Sequence, residues 1–173
     1  MNILQILPEL NVGGVETGTV DLAKYLVGQG HKSIVVSNGG VLVTQLQSEG
    51  SKHYVLPVHK KNLFTMYRCV AKLVNIIRNE KIDIVHARSR VPAWIAFFAC
   101  RQTEAHFLTT CHGYYSKHLF SKVMGWGTMI IAISEVIGRH MVQDFGTPAE
   151  NIRVIARSVD LGIFHAAKTQ WSV

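Results

Sequence analysis

The chain has 173 residues, 48% hydrophobic and 17% charged, a balance that excludes a disordered segment and suits one domain with a buried core. Its formal charge of +7 and isoelectric point near 9.5 point to an anionic partner, whether phosphorylated substrates, an acidic membrane surface or nucleic acid. Three cysteines, Cys69, Cys100 and Cys111, form an odd set without paired spacing, as in a reducing, cytosolic setting.

Short Ile- and Val-rich stretches alternate with helical ones from end to end. The first strand, Ile3–Leu7, starts without the basic residues and long apolar stretch of a signal peptide. It leads through Pro8–Gly14 into a helix over Val15–Gln29, closed by Gly30, where a left-handed cap is expected. Strand Ser33–Ser37, a short helix Val43–Glu49 and strand His53–Leu56 follow. A helix over Leu63–Asn79 precedes strand Ile84–Ala87, and the next helix, Pro92–Arg101, opens on a proline whose missing N–H is harmless in a first turn. Strands Phe107–Thr110 and Met129–Ile133 come next. Ser134 then caps a helix over Glu135–Asp144, which Gly146-Thr147-Pro148 stops before the last strand, Arg153–Ile155.

Most of these strands are continuously hydrophobic, as in a parallel sheet covered on both faces. The pattern predicts an α/β, Rossmann-like, doubly wound and mainly parallel sheet of about seven strands with helices on both faces. The apolar runs Val91–Cys100 and Val123–Ile133 fall short of the ~20 residues of a membrane span, so any membrane contact is expected to be peripheral.

In open parallel sheets, ligands bind beyond the carboxyl ends of the strands. Here those ends carry Gly13, Gly14 and Glu16; His86, Arg88 and Ser89; Thr110, Cys111, His112 and Gly113; Ser134 and Glu135; and Arg157, Ser158 and Asp160. A glycine pair at a helix start lets a ligand approach the backbone where unpaired N–H groups and the positive end of the macrodipole await an anion. Each residue also has a plainer role. Gly13-Gly14 suits a tight turn, Glu16 a first-turn acid and Ser134 a helix cap. His112 suits a strand end, and His86 and Arg88 suit structural positions. The stripe Lys60, Lys61, Arg68, Lys72, Arg78 and Lys81 suits a solvated face.

Other motifs are absent. The glycines of Gly13 to Gly18 do not fit G-x-G-x-x-G, and there is neither a G-K-[ST] loop nor a G-x-S-x-G elbow. The nine histidines never fall at H-x-x-x-H spacing and no C-x-x-C occurs, so no metal site is expected. Aromatic residues do not interleave with the basic stripe, and nucleic acid is not an expected partner.

In order along the chain stand Ile6-Leu7-Pro8 with Gly13-Gly14-Val15-Glu16, then Gly30-His31, Asp83-Ile84-Val85-His86-Ala87-Arg88-Ser89 and Thr109-Thr110-Cys111-His112-Gly113. Ile131-Ala132-Ile133-Ser134 and Ile152-Arg153-Val154-Ile155 with Val159-Asp160-Leu161 and Phe164 complete the series. Together they resemble the N-terminal, acceptor-side half of a family 4 glycosyltransferase of GT-B architecture, over residues 1–165. The resemblance implies a retaining transfer of sugar from a nucleotide-diphosphate sugar, a co-substrate rather than a cofactor, to an envelope glycolipid or polysaccharide. His112 would then approach the transferred sugar as the catalytic residue. Gly13 and Gly14, with Glu16, Arg88, Ser89 and Ser134, would meet the donor phosphate or the acceptor.

Two departures accompany the likeness. Ala156-Arg157-Ser158 stands where the family has Pro-Asn-Gly, and the chain stops at Val173, after a 166–173 tail, where a donor-binding domain is expected. The chain is therefore expected to need that domain, in the same chain or as a donor-domain partner chain, before it turns over. The basic stripe, with Lys117 and Lys122 among Tyr114, Tyr115, Leu119, Phe120 and Trp126, suits an anionic membrane surface on the cytoplasmic, inner face. Two other readings stand beside this one: a truncated or partner-dependent binding module without catalysis, and a nucleotide-binding Rossmann domain of an oxidoreductase. The second lacks an acid at the end of strand two, where Ser37-Asn38-Gly39-Gly40 stands.

Overall fold

The computed structural model describes residues 1–157; Ser158, Val159-Asp160-Leu161, Phe164, the boundary at 165 and the 166–173 tail lie outside the described residues. The elements run β1 (Asn2–Ile6), α1 (Gly14–Gly28), β2 (Lys32–Ser37), α2 (Val43–Ser48), β3 (Lys52–Val55), α3 (Leu63–Glu80) and β4 (Ile84–Ala87). They continue with α4 (Arg90–Cys100), β5 (His106–Cys111), a 3-10 helix at Leu119–Gly125, β6 (Met129–Ala132), α5 (Glu135–Phe145), a 3-10 turn at Ala149–Asn151 and β7 (Ile152–Val154).

The seven strands form one sheet in the order β3-β2-β1-β4-β5-β6-β7, with every pairing parallel. The chain winds outward from β1 to β3, returns through α3, and lays β4 against the other side of β1. The loops after β1 and β4 therefore diverge and leave a crevice at the carboxyl edge. Apolar side chains of α3, α4, α5 and the longer 3-10 helix build the larger core, around Leu4, Leu73, Ile95 and Ile130. A smaller core on the other face joins α1 and α2 to the sheet through Leu10, Val20, Ala23, Val35 and Leu46.

Helix ends follow their local chemistry. Gly30, at φ +75°, follows α1; its N–H reaches the carbonyl of Val27, and that of His31 reaches Leu26. The Asn62 side chain accepts the N–H of Thr65 to start α3. Helix α4 starts at Arg90, two residues before the expected Pro92. Its first i to i−4 bond is Ala93 N–H to the Ser89 carbonyl, 2.8 Å, so the proline nitrogen still falls where no donor is needed. The 3-10 helix at Leu119–Gly125 was not expected: Gly125 and Gly127 interrupt its apolar pattern, and its register is set by packing on α4.

Candidate functional site

Gly13 is the N-cap of α1 and is extended (φ −176°, ψ 163°), without a side-chain cap. The first bond of the helix, from Thr17 N–H to the Gly13 carbonyl at 2.8 Å, leaves the first-turn amides outside the helical ladder. Two charged side-chain ends lie against the glycines. A Cβ on Gly13 would lie 2.3 Å from a Glu16 carboxylate oxygen, and one on Gly14 would lie 2.7 Å from Arg157 Nη1. Glu16 thus folds back over the positive end of its own helix, from the position the acid of a capping box occupies. A ligand anion reaching Gly13 meets that carboxylate; one reaching Gly14 meets Arg157.

Deeper in the crevice lies Arg88, the residue after β4, only 8% exposed. Its Nη1 donates to Gln5 Oε1 at 2.9 Å, and the Gln5 amide donates to the Thr19 carbonyl of α1 at 3.0 Å. Arg88 Nε is buried and has no partner among the described residues. Burial, with Arg157 nearby, lowers its pKa to about 10, so the guanidinium stays charged at neutral pH.

Two histidines flank it. His86, on β4, is buried and meets Thr110 Oγ1 at 2.6 Å; burial, with Arg88 and His112, drives its pKa well down. His112, the residue after β5, is half-buried, and Arg157 Nη2 lies 3.2 Å from its Nδ1. Burial, then Arg88 and Arg157, hold its pKa down at about 4, so the ring is neutral at pH 7. A guanidinium only donates, so Nδ1 accepts and the proton sits on Nε2. That Nε2 is buried and has no partner among the described residues.

Gly14, Gly18, His86, Arg88, His112 and Arg157 share one cavity of about 770 Å³, whose wall continues along α1 to Asp21 and Tyr25 and over Ile131 and Ile155. Of the expected site residues, Gly14, Arg88 and His112 thus come together, with Gly13 and Glu16 at the rim through the α1 start. Ser89 and Ser134 do not line this cavity. Ser89 is the N-cap of α4, and Ser134 Oγ accepts the Ile137 N–H at 3.3 Å to cap α5. His86, Thr110 and Arg157 stood at strand ends in the sequence but outside the chosen set. Gln5 was missed altogether, and the available signal was an amide in the middle of an otherwise apolar strand. Among the described residues, no three His, Cys, Asp or Glu side chains cluster to hold a metal ion.

The loop after His112 is tied down by a second cluster. Buried His140 meets Asp144 Oδ2 at 2.6 Å and the Tyr115 carbonyl at 3.0 Å, and Tyr114 stacks on its ring. Lys117 pairs with Asp144 at 2.5 Å, so this lysine is engaged within the fold. On α3, Phe64 and Tyr67 are 68% and 75% exposed, and Arg68 lies over the Phe64 ring. The basic stripe there is an apolar and basic face rather than a purely charged one. The three cysteines are buried thiols, and burial pushes those of Cys100 and Cys111 up to about 12.

The family model described as Glycosyltransferase Family 4 matches residues 12–162. The chain belongs to Glycosyltransferase Family 4. Among solved structures it is similar to a glycosyltransferase from Rickettsia africae ESF-5, with 36% identity over 93% of this chain and 44% of that one and a TM-score of 0.83. It is also similar to Anabaena HepE in complex with UDP and glucose, at 20% identity over 94% of this chain and 46% of that one, with a TM-score of 0.76. A third is the lipopolysaccharide outer core galactosyltransferase WaaB in its apo form, at 17% identity over 93% and 47%, with a TM-score of 0.70. The last two likenesses concern the fold alone, the Rossmann-like layer of GT-B glycosyltransferases. No curated protein matches. The family 4 chain described here spans about half the length of these solved structures.

Proposed function

We propose that this family 4 domain is the acceptor-binding half of a retaining glycosyltransferase that moves a sugar from a nucleotide-diphosphate sugar to an envelope glycolipid or polysaccharide. Residues 1–165 form the acceptor domain and 166–173 lead toward the hinge with a donor-holding domain. The observation that carries the reading is the convergence of Gly14, Arg88, His112 and Arg157 on one cavity at the carboxyl edge.

In transfer, the bond between the anomeric carbon and the diphosphate oxygen breaks, and the electron pair leaves with the diphosphate. The α1 start at Gly14 and the Arg157 guanidinium face the growing negative charge. Neutral His112 donates its Nε2 proton in a hydrogen bond to an oxygen of the transferred sugar, holding it in place. The acceptor hydroxyl, lying along α1, bonds to the anomeric carbon on the face the diphosphate left and passes its proton to the departing diphosphate oxygen.

The test supplies the chain with a donor domain and a panel of nucleotide-diphosphate sugars, and reads transfer and product anomer. His112→Ala is expected to lower kcat about 100-fold or more with a smaller change in KM. Equal kcat, or an inverted anomer, would refute the reading. A second reading is a partner-dependent binding module without catalysis, which robust turnover by the chain alone would defeat.

The surface supports peripheral attachment to an anionic inner leaflet. Exposed Leu119, Phe120 and Trp126 stand near Lys122, and exposed Leu63, Phe64 and Tyr67 stand among Lys60, Lys61 and Arg68. No helix among the described residues is long and apolar enough to cross a membrane. Co-sedimentation with phosphatidylserine vesicles is expected to fall with salt and with Phe64→Ser plus Tyr67→Ser. Equal binding to uncharged vesicles would count against this attachment.

A further inference from the structure

Arg88 is a buried cation on which the nearest acid, Glu16, acts without forming an ion pair. Among the described residues neither Arg88 nor Arg157 belongs to an ion pair within 4.0 Å. The side chain that orients Arg88 is the amide of Gln5, itself 0% exposed, where a glutamate of nearly the same shape would have neutralised it. Exposed Asp21 lines the cavity farther along α1, and Glu16 is drawn over Gly13 instead. A desolvated charge costs several kcal/mol unless paired, so an arrangement of this kind is stable only when an anion offsets it or the surrounding fold bears the cost.

From these observations we infer that Gln5 and Arg88 form an oxyanion site for an acidic acceptor, one carrying a phosphate or carboxylate group beside the hydroxyl that receives the sugar. The inference rests on the acceptor-side reading above and deepens it by naming the acceptor's class. Depth separates this site from the donor's diphosphate. Arg88 Nη2 faces Gly18, 3.5 Å from where a Cβ would stand, whereas Arg157 faces Gly14. The glycines they face stand four residues, ~6 Å, apart along α1, and the two guanidiniums still act on each other, Arg157 lowering the pKa of Arg88. In this assignment the diphosphate meets the outer cation, Arg157, beside Gly14, and the inner cation remains for the other substrate. Arg88 Nε is the buried donor still without an acceptor, and the guanidinium fork matches an oxyanion's paired oxygens. Gln5 acts as a positioning residue: it holds Nη1 while leaving the charge of Arg88 uncancelled.

The experiment measures binding of glucose 6-phosphate, glucose and UDP to the full chain by calorimetry, alongside thermal melts. Wild type is expected to bind glucose 6-phosphate at least tenfold more tightly than glucose. Arg88→Met and Gln5→Glu should each lose that preference, with the melts showing that each variant is folded, since Gln5→Glu also gives up the amide donor to the Thr19 carbonyl. UDP should not displace the sugar phosphate. Wild type without the preference, an unchanged preference in folded Gln5→Glu or Arg88→Met, or displacement by UDP would each overturn the inference. Transfer with a donor domain is read separately, so failure here leaves the glycosyltransferase reading standing, and failure there does not remove an oxyanion site.

Discussion

Acidification should destabilise the domain through His112, and the sign follows from its surroundings. In the folded chain, burial and two arginines hold the His112 pKa at about 4, against an ordinary value of 6.5. Between those values the unfolded chain binds a proton that the folded chain does not, so stability rises with pH. The contribution is fully present above about 6.5 and is lost as pH falls toward about 4. At ~1.4 kcal/mol per pH unit the interval sets a ceiling of ~3.4 kcal/mol. Solvent reaches the half-buried ring, which reduces the expected loss to ~1–2 kcal/mol. Urea denaturation of wild type and His112→Gln across pH 7.5 to 4.5 reads it, since burial, the largest cause of the His86 shift, is common to both proteins. Wild type should lose ~1–2 kcal/mol more than the variant over that range. Arg157→Gln should raise the His112 pKa when the ring is followed by NMR. Parallel stability curves, or a ring that titrates near its ordinary value, would show that the two arginines do not govern this histidine.

Two further expectations concern the frame around the cavity. Gly40 sits at φ +143°, and a Cβ there would lie 2.3 Å from the Leu10 carbonyl carbon, so Gly40→Ala should cost ~3 kcal/mol or more in denaturant unfolding. Gly28→Ala, with open space around the new methyl, should be neutral or stabilising by up to ~1 kcal/mol; equal effects at both glycines would refute the packing argument. At the opposite edge, Glu80 accepts from Lys32, Lys52 and Tyr54, which hold its pKa down at about 2. Its stabilisation should be present above pH 4.5 and fade toward about 2. Glu80→Gln should therefore flatten the acid limb of the melting profile, and an unchanged limb would contradict the assigned network.

Much of the fold was legible because local physics writes it. Continuous Ile and Val runs mark buried parallel strands, and the seven observed strands lie within a residue or two of the expected ones. Gly30, Ser134 and Gly146 mark helix ends by backbone and capping preferences that act within a few residues. The helix at Arg90 began earlier than its proline suggested, because a first turn tolerates proline at more than one position. The stretch Leu119–Gly125 gave no periodic signal, since packing on α4 shapes it.

The amino-acid sequence alone determined the layer of alternating strands and helices and the glycine start of α1. It also set the row of polar residues at the strand ends, because each depends on neighbours close in the chain. Only the tertiary structure decided that β4 lies against β1, and therefore that Arg88 reaches Gln5 beneath α1. It likewise brought Arg157 beside Gly14 and His112, from the far side of the sheet in chain order. Those contacts join distant segments, and burial then changes their chemistry: the same histidine that would titrate near neutrality in an isolated strand end is held neutral between two cations.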